Sequence, residues 1–169
     1  MRLMLDNGPL GHLAAVAREE WSWPCSTLHV ATAIAREGAT GQRTLALLGW
    51  RDGSGMPWIE QHDLEIGSDA ERLYSQRLRP RSSHATKNIG EDMSIALLAH
   101  ALVDGVLVTM DGKAALSALV ELGRDRVVSP FDCWRWLLGQ GRIDLATCRE
   151  LDERTSKNMG LVGPPPRLS

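Results

Sequence analysis

Tyrosine and phenylalanine occur once each among the 169 residues, cysteine occurs three times, and no apolar run approaches the length of a membrane span. A bilayer crossing needs about 20 consecutive apolar residues, so a spanning helix is not expected. The opening Met1-Arg2-Leu3-Met4-Leu5-Asp6 is charged too early and too short in its apolar part for a signal peptide, and a cytoplasmic location is the expectation. Cys25, Cys133 and Cys148 are far apart, odd in number and form no C-x-x-C pair, so neither a disulfide framework nor a zinc knuckle is suggested; they are read as reduced and mostly buried. Charge of one sign is also lacking. A net charge of −2 gives no global attraction to a polyanion, so contact with nucleic acid would need a local basic patch.

Other chemistries lack their motifs. The histidines form neither H-x-x-x-H nor H-E-x-x-H and are read as structural or surface residues, leaving zinc hydrolysis unsupported. Ser26, Ser94 and Ser129 stand outside any G-x-S-x-G elbow, and no glycine-rich loop ends in Lys-Ser or Lys-Thr. The aromatic content rests on six tryptophans, of which Trp21, Trp23, Trp50 and Trp58 are read as core or partner surface rather than as base-stacking platforms.

What is present is the patterning of an ordinary folded chain, with 43% hydrophobic and 24% charged residues. Arg2 to Leu5 reads as a short strand, Asp6-Asn7-Gly8-Pro9 as a turn, and Leu10, Leu13, Ala14 and Ala17 as one face of a helix. A second helix is expected from Ser26 or Thr27 through Ile34 to Gly38, in preference to a strand at Leu28 to Ile34. Thr44 to Trp50 is a short apolar segment, and Trp58 to Leu64 reads as a strand after a Gly-Ser loop. Ser68-Asp69-Ala70-Glu71 has the form of a capping box opening a helix to about Leu78, and Arg77 to Lys87 reads as a basic loop.

From Ile89 onward helix and strand alternate. A helix carries Ile95, Leu98, Ala99 and Leu102 on one face and ends at Gly105. Val106 to Met110 follows as a buried strand, Ala114 to Leu122 as a helix, Arg126 to Ser129 as a strand, Pro130 to Leu138 as a helix, and Asp144 to Asn158 as a last helix. That alternation points to an α/β domain over residues 1–160, its mostly parallel sheet of about four to five strands covered by helices on both faces, with a flexible Pro-rich tail at 161–169.

In such a sheet ligands bind beyond the carboxyl ends of the strands. Asp6 and Asp111 each follow an apolar run directly, and Glu91 stands at the start of the helix that precedes the Asp111 strand. If the two strands are neighbours, all three meet on one rim. Carboxylates from separate loops suit Mg²⁺ or Mn²⁺, hard cations that take a few acidic ligands and complete their shell with water and phosphate.

Three segments carry a resemblance. Leu5-Asp6-Asn7-Gly8-Pro9-Leu10-Gly11 looks like the opening of PIN domains, Gly90-Glu91-Asp92-Met93-Ser94-Ile95-Ala96-Leu97-Leu98-Ala99 like their central Gly-Glu helix, and Val108-Thr109-Met110-Asp111 like their T-x-D strand end. Val127 through Ser129-Pro130-Phe131-Asp132 to Gly141-Arg142-Ile143 is similar to the toxin–antitoxin branch of these nucleases.

The resemblance implies a metal-dependent endoribonuclease with Asp6, Glu91 and Asp111 as ligands and Asp132 as a weaker fourth. Asn7, Ser94 and Thr109 are supporting residues, and Arg77, Arg79, Arg81 and Lys87 are candidate RNA contacts. It further implies an RNA substrate, an antitoxin protein that silences the enzyme, and a homodimer. One departure stands out: the pattern has another acid after the first helix, where this chain offers the poorly matched Glu37. A non-catalytic PIN-like scaffold that binds a protein or RNA partner is the alternative.

Overall fold

Leu3, Met4 and Leu5 are wholly shielded from solvent, as a strand covered on both faces requires. In the computed structural model, which describes residues 1–18, 21, 27–81 and 88–159, they belong to β1 (Arg2–Leu5), the central strand of a five-stranded sheet. β2 (Leu28–Ala31) lies on one side of it with β3 (Ile59–His62) beyond; β4 (Gly105–Val108) and β5 (Val127–Val128) lie on the other. The order is β3-β2-β1-β4-β5 and every pairing is parallel.

From β1 to β3 the chain steps one way across the sheet, and from β3 through β4 to β5 it steps back the other way. Crossovers between parallel strands are right-handed, so the two sets of connecting helices start from opposite faces, and α2 bridges them by packing on both α1 and α6. α1 (Asn7–Val16), α2 (Thr32–Gly38) and α3 (Gln42–Gly49) come from the first set, and α1 packs on both its companions. α4 (Asp69–Leu73), a π-helical turn at Tyr74–Leu78, α5 (Arg79–Arg81), α6 (Ile89–His100) and α7 (Gly112–Leu122) come from the second. α6 is their centre, touching β2, β4, α4 and α7.

α8 (Pro130–Gly139) and α9 (Leu145–Asn158) pair at the end of the described chain, and α9 closes over α1. Thr155 fastens that contact, accepting the Trp134 indole N–H at 3.0 Å and lying 3.2 Å from Nδ1 of the buried His12. The α/β architecture with its parallel sheet is therefore as the alternating pattern implies. Among the described residues no helix is long and apolar enough to cross a membrane.

Local signals hold at the caps, whereas Asp6-Asn7-Gly8-Pro9, read as a turn, is the N-cap and first residues of α1. Ser68 caps α4, its hydroxyl accepting the Glu71 amide at 3.1 Å, and Ser129 and Asp144 cap α8 and α9. Cys133 and Cys148 are buried and unbridged, while Cys25 and Trp23 lie outside the described residues. Of the tryptophans assigned to core or surface, Trp58 is buried and meets Trp50 edge-on, with centroids 5.2 Å apart.

Three other expectations are corrected. The segment read as one helix to Gly38 is a strand, Leu28–Ala31, followed by α2; a short run buried on both faces carries no period that separates strand from helix. Thr44 to Trp50, a short apolar segment that the sequence left unassigned, lies mostly within the helix α3. Gly105 does not end the helix, which stops at His100, but opens β4. A side chain there would bring its Cβ within 2.7 Å of Leu98 Cδ2 and 3.1 Å of the Leu102 carbonyl. The basic stretch is not a loop from its start: Arg77 to Arg81 are helical, and 82–87 lie outside the described residues.

Candidate functional site

The strand order reverses between β1 and β4, the place where an open parallel sheet leaves a crevice at its carboxyl edge. Pairing of Leu5 with Val108 brings the two following residues, Asp6 and Thr109, side by side. The Asp6 amide continues the ladder to the Val108 carbonyl at 3.0 Å. Its carboxylate, only 5% exposed, caps α1 by accepting the Asn7 amide at 2.7 Å and takes the Thr109 hydroxyl at 2.6 Å. Thr109 in turn accepts the Asp111 amide at 3.1 Å. Asp111 caps α7, its Oδ1 accepting the amides of Lys113 and Ala114 at 2.7 and 3.0 Å. Both aspartates therefore retain capping bonds while standing at neighbouring strand ends.

Glu91 reaches the same rim because α6 runs back against the strands and begins there. Close docking of α6 on α2 depends on Gly90: a Cβ at that position would lie 2.2 Å from Ile34 Cδ1. Asn88 turns the chain into α6 in the left-handed region, with φ of 60°, a conformation asparagine tolerates better than most residues. The same docking of α2 on α6 carries Glu37 to the site. Next to it, Gly38 leaves room for Thr44, Leu10 and the Asn7 side-chain oxygen, which would stand 3.6 Å from an added Cβ.

Three of these acids are shifted by burial and by their acidic neighbours. Burial pushes Asp6 up from the usual carboxylate range, against the bonds from Thr109 and the Asn7 amide, and the charge of Asp111 adds to the rise. Glu37 is raised by partial burial and then by Asp6. Glu91 is raised most, to about 7, first by burial and then by Asp6, Glu37 and Asp111, against a backbone hydrogen bond. Asp6 forms the shielded floor of the cluster, Glu91 a half-buried wall, and Glu37 and Asp111 an exposed mouth.

The remaining candidates divide. Asn7 is exposed beside Asp6, and Ser94 lies one turn after Glu91 on α6, its hydroxyl fully buried and without a hydrogen-bond partner among the described residues. Asp132 is exposed in the first turn of α8, its carboxylate accepting the Ser129 hydroxyl at 2.6 Å. It is not among the charges that raise Asp6, Glu37 or Glu91, and Ser129 caps α8 by accepting the Asp132 amide at 3.2 Å.

Two of the basic residues are committed to acids of the fold. Arg77 pairs with Glu121 on α7 at 3.1 Å, and Arg79 pairs with Asp92 at 3.0 Å in a largely shielded contact at the start of α6. Arg81 ends α5, and Lys87 lies outside the described residues. No family model, curated protein or solved structure matches this chain.

Proximity in sequence misses two groupings. Glu37 is visible as an acid before a glycine, yet only the packing of α2 on α6 makes it a neighbour of Glu91. His29, Glu60 and His62 also converge, from adjacent strands; the alternation Glu60-Gln61-His62 was the one signal for them.

Proposed function

We propose that the chain is a metal-dependent endoribonuclease that hydrolyses RNA phosphodiester bonds, using Asp6, Glu37, Glu91 and Asp111. One observation carries the proposal: acids from four separate elements gather about the strand-order reversal, where the charge of Asp111 bears on Asp6, that of Asp6 on Glu37, and those of all three on Glu91. Such crowding is unfavourable for the protein alone, and a bound cation offsets it.

The donor set fits Mg²⁺ or Mn²⁺. It is made of carboxylate oxygens, the ligands these hard ions prefer, and adds no imidazole or thiolate that would select a softer metal. The buried Ser94 hydroxyl nearby has capacity left for a water or ligand atom. Asp6 and Asp111 would hold the ion at the strand ends, with Glu91 and Glu37 closing from the helices. When bound, such an ion activates a water for attack and offsets charge on the scissile phosphate. Thr109 holds Asp6 in position from below, and Asn7 stands at the mouth where substrate would pass.

That the substrate is RNA follows from the likeness of the Asp6, Glu91 and Asp111 segments to PIN domains, as do an antitoxin partner and a homodimer. Asp132, in its capping contact with Ser129, has a smaller part in this reading than Glu37. The alternative of a silent scaffold rests on a missing further acid and on the tryptophan-rich first half of the chain; Glu37 supplies a candidate for that acid.

The test is cleavage of single-stranded RNA by the purified chain with Mg²⁺ or Mn²⁺, alongside calorimetry with Mn²⁺. Activity that disappears with chelator and in a folded Asp6→Asn variant is expected. Undiminished cleavage by Asp6→Asn would overturn the assignment; absence of Mn²⁺ binding would favour the scaffold, and cleavage of single-stranded DNA alone would change the substrate.

A further inference from the structure

β2 and β3 pair in parallel with His29 opposite Glu60 and Ala31 opposite His62. Side chains alternate along a strand, so Glu60 and His62 share a face of the sheet, and His29 belongs to that face through its pairing with Glu60. There the three converge. His29 Nδ1 lies 2.8 Å from His62 Nε2 and 3.5 Å from Glu60 Oε2, and His62 Nε2 lies 3.6 Å from the same oxygen.

We propose that His29, Glu60 and His62 form a second metal site, taking a divalent transition cation of the zinc type. Ligand atoms about 2.0–2.1 Å from a tetrahedral ion stand roughly 3.3 Å from one another, and the observed triangle departs from that by a few tenths of an ångström. Two imidazoles and one carboxylate suit Zn²⁺, Co²⁺ or Ni²⁺ and select against Mg²⁺. Placement on two hydrogen-bonded strands holds the donors firmly, with His29 fully buried and Glu60 and His62 partly exposed.

Three protein ligands leave a tetrahedral ion one open position. His62 also lines a cleft of about 370 Å³, together with Asp63, Glu65, Asp69, Leu97 and His100. The cleft gives an ion a way in from solvent, and its acids favour a cation. Leu97 and His100 lie roughly 9 to 14 Å further along α6 than Glu91, at about 1.5 Å per residue, so this site is separate from the carboxylate rim. An ion there would tie the edge strand β3 to β2 and stabilise the folded chain by binding it selectively.

The experiment is a Co²⁺ titration of the full chain in excess Mg²⁺, read by visible absorption and by thermal melting. Expected are the intense bands of tetrahedral Co²⁺, saturation at one equivalent, displacement by Zn²⁺, and a raised Tm. Losing a direct ligand should weaken binding beyond the about 10–100-fold that loss of an outer hydrogen-bond partner costs, so His62→Ala and Glu60→Gln should each lose the bands. Asp6→Asn and Asp111→Asn should keep them. If His62→Ala does not fold, the near-isosteric Glu60→Gln decides. Absence of tetrahedral bands in the parent chain, or bands unchanged in the folded Glu60→Gln variant, would show a hydrogen-bonded histidine pair and no metal site. RNA cleavage is measured separately, so failure here leaves the endoribonuclease assignment standing.

Discussion

The Thr109 hydroxyl donates to Asp6 at 2.6 Å and accepts the Asp111 amide at 3.1 Å, so one side chain sets the spacing of two acids from adjacent strand ends. Valine keeps the shape and removes both bonds. Thr109→Val should fold and lose about 10–100-fold in Mn²⁺ affinity, the usual cost of removing a partner that orients a ligand. Thr109→Ser should retain most of it. Calorimetry on the two variants checks this, and equal affinities would show that the hydroxyl has no positioning role.

Glu37 owes its place to the packing of α2 on α6, and its charge raises Glu91. Glu37→Gln should therefore lower the Glu91 pKa from about 7, seen by carboxyl carbon NMR, while weakening Mn²⁺ binding about 10-fold or more. A lowered pKa with unchanged Mn²⁺ affinity would leave Glu37 as an electrostatic neighbour and not a ligand.

The raised Glu91 fixes the sign of a pH effect on the metal-free protein. Its folded pKa of about 7 lies above its ordinary 4.5, so between these values the folded state binds more protons than the unfolded state. The Glu91 contribution to stability is favourable at the acid end and is lost as pH rises through that window. Denaturant melts in chelator should show the decline in the parent chain relative to Glu91→Gln. Saturating Mn²⁺ should offset it, because the ion favours the ionised carboxylates. A difference between the two proteins that stays flat from pH 4.5 to 7 would contradict the raised value.

Gly90 is required by close approach and not by its backbone angle. An alanine methyl would meet the fully buried Ile34 at 2.2 Å, an overpacking that costs about 1–3 kcal/mol in a tight core. Gly90→Ala should lower the denaturation midpoint by that much, and a second change, Ile34→Ala, should recover part of the loss. Because Gly90 also holds α6 against α2, Mn²⁺ affinity should fall with stability. Undisturbed stability in Gly90→Ala would show that the α2–α6 contact yields easily.

Local chemistry made much of this protein legible. Leu3-Met4-Leu5 and Val106-Leu107-Val108 are buried on both faces of a parallel sheet, so they stand in the sequence as unbroken apolar runs, and the acids that follow them announce the strand ends. Ser68 before Glu71 and Gly123 after Leu122 mark helix boundaries for equally local reasons. Leu28 to Ala31 resisted because four buried residues carry no period that separates strand from helix, and only pairing with β1 and β3 decides the matter.

The basic stretch misled for a related reason. Its composition resembles a phosphate-binding loop, but Glu121 and Asp92, distant in the chain, become the partners of Arg77 and Arg79 when the helices pack. Sequence alone determined the parallel α/β pattern and the positions of Asp6, Glu91 and Asp111. Tertiary structure alone decided that Glu37 joins them and that His29 meets Glu60 and His62, because helix docking and strand register join residues whose spacing along the chain carries no trace of the contact.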